Sequence, residues 1–159
     1  MSDKKVIIIG DGHLRKDLER QKLSTNITFT GWLPQKDLIE FYQRAQCFVY
    51  AAEEDFGIAP VEAQAAGLPV IAYGKGGVSE TVVPLNGVYT KQQPTGLFFD
   101  KQESDSLIEA IKLFESRKHE FNSDDIRKNT LQFSRQNFKE RISTYVGQVL
   151  GNHCYASKN

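Results

Sequence analysis

The stretch EDFGIAPVEAQAAGLPVIA, Glu54 to Ala72, decides the fold. Pro60 suits the first turn of a helix, where its missing N–H loses no partner and its fixed φ is already helical. A helix is therefore expected to begin between Ile58 and Pro60 and to run to Ala66, with Gly67 closing it in the left-handed conformation. Val70 to Ala72 then reads as a short buried strand. The same stretch carries two carboxylates, Glu54 in the loop and Glu62 expected within the first helical turn. Backbone N–H groups around Gly57, Ile58 and Ala59 would point out of the helix start and favour an anion there. A carboxylate can accept two hydroxyl hydrogen bonds at once, as the vicinal diols of a ribose or hexose present them. Each charge-assisted bond is worth about 1.5–3 kcal/mol. An ordinary account competes: a first-turn Glu complements the helix dipole, and Glu53-Glu54-Asp55 can be a solvated acidic loop.

Working outward, strand and helix alternate. Val6 to Ile9 is a short β-branched run, read as a buried parallel strand. A helix is expected from His13 to Lys22, a strand from Ile27 to Thr30, a helix from Lys36 to Ala45 and a strand from Cys47 to Tyr50. Beyond Ala72 a helix is expected to start near Gly77, and Gly96 to Phe99 forms a last strand. Strands spaced by helical segments imply an α/β, Rossmann-like parallel sheet flanked by helices on both faces. Ligands in such sheets bind beyond the carboxyl ends of the strands.

From residue 104 the pattern is helical. Ser104 is expected to cap a helix over Asp105 to Ser116, with Leu107, Ile108, Ile111 and Phe114 on one face. A second helix should follow Ser123-Asp124-Asp125, and a third should span Arg135 to Leu150, where Phe138, Ile142, Tyr145 and Val149 recur at helical spacing. Both stripes read as core. Residues 151–159 read as a frayed tail after a single domain over residues 1–150.

Composition agrees with that organisation. A chain of 159 residues buries about 70% of its unfolded surface, enough for one core. Twenty basic and twenty acidic residues cancel, leaving no net field to attract nucleic acid or an anionic membrane. The two cysteines, Cys47 and Cys154, make no disulfide framework, so a cytoplasmic setting is expected. No run approaches the ~20 apolar residues of a membrane span, and the start is not a signal peptide.

Gly10-Asp11-Gly12 follows the first strand and raises a dinucleotide site. The Rossmann fingerprint needs a third small residue, but Arg15 stands there, which disfavours hydride transfer with NAD. A tight turn that lets the backbone approach a nucleotide is the other role; a lone G-x-G is as often only a turn. His13, His119 and His153 have no paired carboxylate at a useful spacing and are expected at the surface. Trp32 is expected to pack, partly buried.

Taken together, E-x-F-G-x-x-x-x-E from Glu54, A-x-x-x-G-x-P-V-I-A after it and the Gly76-Gly77-Val78-Ser79-Glu80 run resemble the retaining glycosyltransferases of the GT-B fold, family 4. Ile7 to Arg15, Asn26 to Pro34 and Thr95 to Phe99 match in the same order, so the resemblance covers residues 5 to 145. It implies a nucleotide-sugar-binding domain, closest in impression to mannosyltransferases of surface polysaccharides. Under it, Glu54 meets the donor sugar and supports positive charge at the anomeric centre, while Glu62 binds the ribose hydroxyls. Phe56, Gly57, Ile58 and Ala59 offer backbone N–H groups to the sugar and diphosphate. Leu33 makes a backbone contact to the base, and the Gly10 and Gly12 loop lets the nucleotide approach.

The implied reaction moves a hexosyl group from GDP-mannose, as first choice, or from a UDP-sugar, to a glycan or lipid-linked acceptor, with no metal and no cofactor. The resemblance also exposes gaps. Complete enzymes carry an N-terminal acceptor domain, and an Arg and a Lys that neutralise the diphosphate. Lys4, Lys5, Arg15, Lys16 and Lys75 do not stand in that motif, so the chain alone is expected to be inactive. Peripheral association of the full enzyme with the inner face of the membrane is compatible with this. Two other readings are a non-catalytic nucleotide-sugar-binding module and part of a GT-B-like sugar-nucleotide epimerase. Glu54 and Glu62 together weigh against both.

Overall fold

A computed structural model describes residues 3–21, 25–85 and 92–156, with the side chains of residues 151–156 left out of the description. The chain divides into two units, Met1–Phe41 and Tyr42–Asn159, and each is described by itself.

In the first unit, β1 (Val6–Ile9) pairs in parallel with β2 (Ile27–Gly31), Val6 opposite Ile27 and Ile8 opposite Phe29, with a register shift between Ile8 and Ile9. Between them lies α1 (Arg15–Gln21), and α2 (Gln35–Arg44) follows β2 and runs across the boundary into the second unit. Lys22, the expected end of α1, lies outside the described residues. The Gly10 N–H donates to the Gly31 carbonyl at 2.9 Å. Gly31 holds φ 75°, and the Arg15 guanidinium lies where its Cβ would be, 2.5 Å from the ideal position. Arg15 is held there by Glu19 at 2.9 Å and Asp11 at 3.1 Å. The residue that breaks the dinucleotide fingerprint thus fills the space beside the turn.

The second unit is a three-stranded parallel sheet of β3 (Phe48–Tyr50), β4 (Val70–Tyr73) and β5 (Gly96–Phe99), with β4 central. Five parallel strands were legible from the alternation with helices; their division into two hydrogen-bonded sheets was not, because alternation sets direction and not which strands pair. Successive strand residues face opposite sides. Ile71 and Tyr73, with Leu97 and Phe99, meet Ala110 and Phe114 of α5 (Ser104–Arg117). Val70 and Ala72 turn to the other face and are also fully buried, so β4 is covered twice. Each large side chain sealed this way contributes about 1.5–3 kcal/mol. Gly96 is required by close approach: a Cβ there would fall 2.2 Å from the Val70 carbonyl oxygen.

α3 (Ile58–Ala65) packs on β3 and β4, and α6 (Ser123–Thr130) packs on α3. A polar bridge seals that stack. Gln64 is fully buried; its amide donates to the Pro60 carbonyl at 3.2 Å and its oxygen accepts from Asn129 at 2.9 Å. Asn129 also donates to the carbonyl of Thr81, the last residue of α4 (Val78–Thr81).

Four expectations fail here. Glu103, not Ser104, precedes α5, and it makes no side-chain cap. α6 starts at Ser123, because Asn122 caps it by accepting from the N–H groups of Asp124 and Asp125. α7 (Arg135–Ala156) continues past Leu150 into the stretch read as a tail, and residues 157–159 lie outside the described residues. Its apolar stripe is not core: Phe138 is 64% and Tyr145 63% exposed. The 3-10 turn at Leu131–Phe133 is its principal neighbour among the described elements, and one turn cannot cover a helix of this length.

Candidate functional site

Because β3, β4 and β5 are parallel, the segments that leave them gather at one edge of the sheet. These are Ala51 to Gly57 after β3, Gly74 to Gly77 after β4 and Asp100 to Glu103 after β5. Glu54 lies in the first of them. Gln102 ties the third to the first through a 2.7 Å bond from its amide to the Ala51 carbonyl.

The chain enters α3 through Gly57, whose φ of 78° and ψ of 70° a β-substituted residue adopts only with strain. No side chain caps the helix, so the N–H groups of Ile58 and Ala59 open onto this edge. Pro60 is the third helical residue, where its lack of an N–H is harmless. Glu62 is the fifth residue, not in the first turn as expected, and the first turn holds no acid. That shift removes the helix dipole as a reason for Glu62, since the effect fades beyond the first turn. Among the described residues no hydrogen bond or ion pair engages its exposed carboxylate.

Glu54 is exposed as well, and its carboxylate neighbours the Tyr50 hydroxyl at the end of β3. Burial, then that neighbouring carboxylate, push the Tyr50 hydroxyl up to about 12. Phe56 is half exposed and meets Phe133 edge to face at 5.8 Å. Lys75, after β4, is a cation at this edge; its ammonium lies 5.5 Å from the Tyr73 ring centroid. A hydrogen bond to Tyr73, with the field of Glu53 behind it, raises its pKa. The edge therefore presents carboxylates, Glu54 among them, open N–H groups and the lysines Lys75 and Lys101, a set able to hold hydroxyls and an anion together.

Of the expected site residues, Glu54, Phe56, Gly57, Ile58, Ala59 and Glu62 fall on this edge or in the helix that starts there. Gly10, Gly12 and Leu33 belong to the first unit. Gly10 holds φ 118°, and nothing lies within 4 Å of where a Cβ on Gly12 would be. Trp32, expected to pack, is 75% exposed. Tyr50 carries no signal of a role in its own sequence neighbourhood, and Gly76 and Gly77, expected to have no direct role, press on the Glu54 loop.

The cleft of about 500 Å³ in the second unit lies at the opposite edge. Gln46, Leu68 and Pro69, which precede β3 and β4, line it together with Tyr42, Phe114 and His119. No group of three or more His, Cys, Asp or Glu side chains able to hold a metal occurs among the described residues. Among those residues no helix is long and apolar enough to cross a membrane.

A parallel α/β sheet with its polar groups gathered at the carboxyl edge defines a Rossmann-like domain, and its likeness to solved structures makes it one of GT-B type. It superposes on sucrose-phosphate synthase from Thermosynechococcus elongatus with a TM-score of 0.72 at 22% identity, covering 93% of this chain and 39% of that one. HepE of Anabaena in complex with UDP gives a TM-score of 0.69 at 20% identity, covering 91% and 41%. Residues 2–133 match the family described as Glycosyl transferases group 1, and the chain belongs to that family. It is 36% identical over 119 residues to the GDP-mannose-dependent monoacylated alpha-(1-6)-phosphatidylinositol monomannoside mannosyltransferase of Corynebacterium glutamicum, covering 69% of this chain and 29% of that protein. Sulfoquinovosyl transferase SQD2 of Arabidopsis thaliana is 27% identical over 113 residues, covering 70% and 21%. The chain thus spans less than a third of the length of these two relatives.

Proposed function

We propose that this chain is the donor-binding part of a retaining glycosyltransferase that moves a hexosyl group from a nucleotide-diphosphate sugar to a glycan or lipid-linked acceptor. The observation that carries the reading is the pair of exposed carboxylates, Glu54 and Glu62, beside the open start of α3, in a chain of the group 1 family. Glu62 accepts from the ribose hydroxyls. Glu54 accepts from the sugar hydroxyls and stabilises positive charge as the glycosidic bond lengthens. The N–H groups of Phe56 to Ala59 meet the diphosphate, whose departure leaves an oxocarbenium-like sugar. Catalysis in such a site rests on positioning and on charge stabilisation rather than on a covalent step. Gly10, Gly12 and Leu33 are proposed as backbone contacts to a nucleotide.

GDP-mannose is the proposed donor. The named dependence of the C. glutamicum relative supports it, while HepE, solved with UDP, keeps UDP-sugars as the competing choice. A lipid-linked acceptor is proposed on the same footing, from relatives named for phosphatidylinositol mannosides and for diacylglycerol. Calorimetric titration of the chain with GDP-mannose, GDP, UDP-glucose and UDP tests the reading. Binding of one nucleotide family, tighter with the sugar attached, is expected. No binding of any of the four at millimolar concentration would contradict it.

A further inference from the structure

Glu54 sits in a segment with no regular structure, so something other than helix or strand must fix it. Its backbone is held by the turn after β4. The Gly77 N–H donates to the Glu54 carbonyl at 2.7 Å. A Cβ on Gly76, whose φ is 72°, would fall 2.4 Å from that same carbonyl oxygen. A Cβ on Gly77 would fall 2.4 Å from Phe56 Cα and 2.5 Å from the Asp55 carbonyl oxygen. Two backbones approach this closely only where one of them carries no side chains. The turn is itself anchored from α4: the Ser79 hydroxyl donates to the Gly76 carbonyl at 2.7 Å and the Thr81 hydroxyl to the Gly77 carbonyl at 3.1 Å. The side chain of Glu54 has a separate neighbour, the Tyr50 hydroxyl, on the last residue of β3.

We propose that the Gly76–Gly77 turn and Tyr50 are positioning residues for Glu54, the turn setting its backbone and the Tyr50 hydroxyl setting its carboxylate. The inference rests on the donor-binding reading above. A Glu side chain has large rotamer freedom, and a carboxylate that must meet a sugar hydroxyl loses much of its value when that freedom is left to the loop. Tyr50 is placed for this task because it ends β3, so the rigid sheet and not the loop holds its ring. Burial keeps its hydroxyl protonated, hence a donor, throughout the neutral range. Glu62 lies on α3 and needs neither device.

That separation supplies a readout that a purely structural role would not move. The quantity is the gain in affinity that the sugar brings, GDP-mannose over GDP, or UDP-glucose over UDP, whichever pair binds. Tyr50→Phe removes one oxygen and is expected to cut this gain roughly threefold to tenfold, leaving the affinity for the bare nucleotide within about twofold and the thermal midpoint unchanged. Gly77→Ala is expected to abolish the gain, with circular dichroism reporting whether the fold survives. Parallel loss of both affinities in Tyr50→Phe, or an unchanged gain, would overturn the proposal. A wild-type chain that binds nucleotide and nucleotide sugar equally would overturn it too, while leaving Glu62 and the nucleotide intact. A wild-type chain that binds neither would instead remove the donor-binding reading on which it rests.

Discussion

The two edges of the β3–β4–β5 sheet differ in kind. The amino edge has the cleft, walled by Leu68, Phe114 and Phe121, with Lys118 and His119 among its lining. The carboxyl edge has the chemistry: the exposed carboxylates of Glu54 and Glu62, helix N–H groups without a side-chain cap, and glycines pressed against the loop that carries Glu54. Concavity alone would select the first, and the charge and hydrogen-bond accounting selects the second. In an open parallel sheet only the carboxyl edge receives helix starts, so anion-binding groups collect there whatever the local volume.

Substitutions can break or sharpen this contrast. The largest effect belongs to Phe114, which lines the cleft and anchors the core: Phe114→Ala should cost about 3–5 kcal/mol of stability in urea unfolding. Donor affinity of the folded fraction should survive it, because Phe114 is on α5 and lines the amino-edge cleft rather than belonging to the segments that leave the strands. Glu62→Ala should do the reverse, weakening nucleotide binding by about 1.5–3 kcal/mol in calorimetry while the thermal midpoint stays put.

A smaller effect is set by pH at the amino edge. Cys47, just before β3, has its thiol pushed by burial from 9.0 to about 11, with Glu115 adding to the shift. A pKa raised by folding means that the unfolded chain ionises first. The associated stability is complete below pH 9 and drains as pH rises toward about 11. Cys47→Ser should flatten that part of the stability profile. Smallest of all, His119→Ala at the cleft and Phe138→Ala on α7 should each change stability and donor affinity by no more than about 0.5 kcal/mol. A larger loss for His119→Ala in donor binding would mean that the two edges had been ranked wrongly.

The strands were legible because each is a short apolar run bounded by Gly, Pro or polar residues, and that pattern is local. Helix ends were less so. Asn122 displaced the expected start of α6 by a cap that only the backbone path reveals, and the early start of α3 moved Glu62 beyond the first turn. The stripes on α5 and α7 look alike in sequence, yet Phe114 is 4% exposed and Phe138 64%. Periodicity shows that a helix has an apolar side; a partner must bury it. For the candidate site, Glu54 and Glu62 could be picked out from their own neighbourhood. Tyr50 and the Gly76–Gly77 turn could not, since their roles depend on where β3 and β4 end relative to one another.

The central claim is a division of labour between two carboxylates, and one paired measurement addresses it: GDP-mannose and GDP titrated calorimetrically into the wild-type chain, Glu54→Ala and Glu62→Ala, with UDP-glucose and UDP as the alternate pair. Glu62→Ala is expected to lose affinity for nucleotide and nucleotide sugar alike, whereas Glu54→Ala is expected to lose only the part that the sugar contributes. Identical losses in the two variants, or none in either, would contradict it.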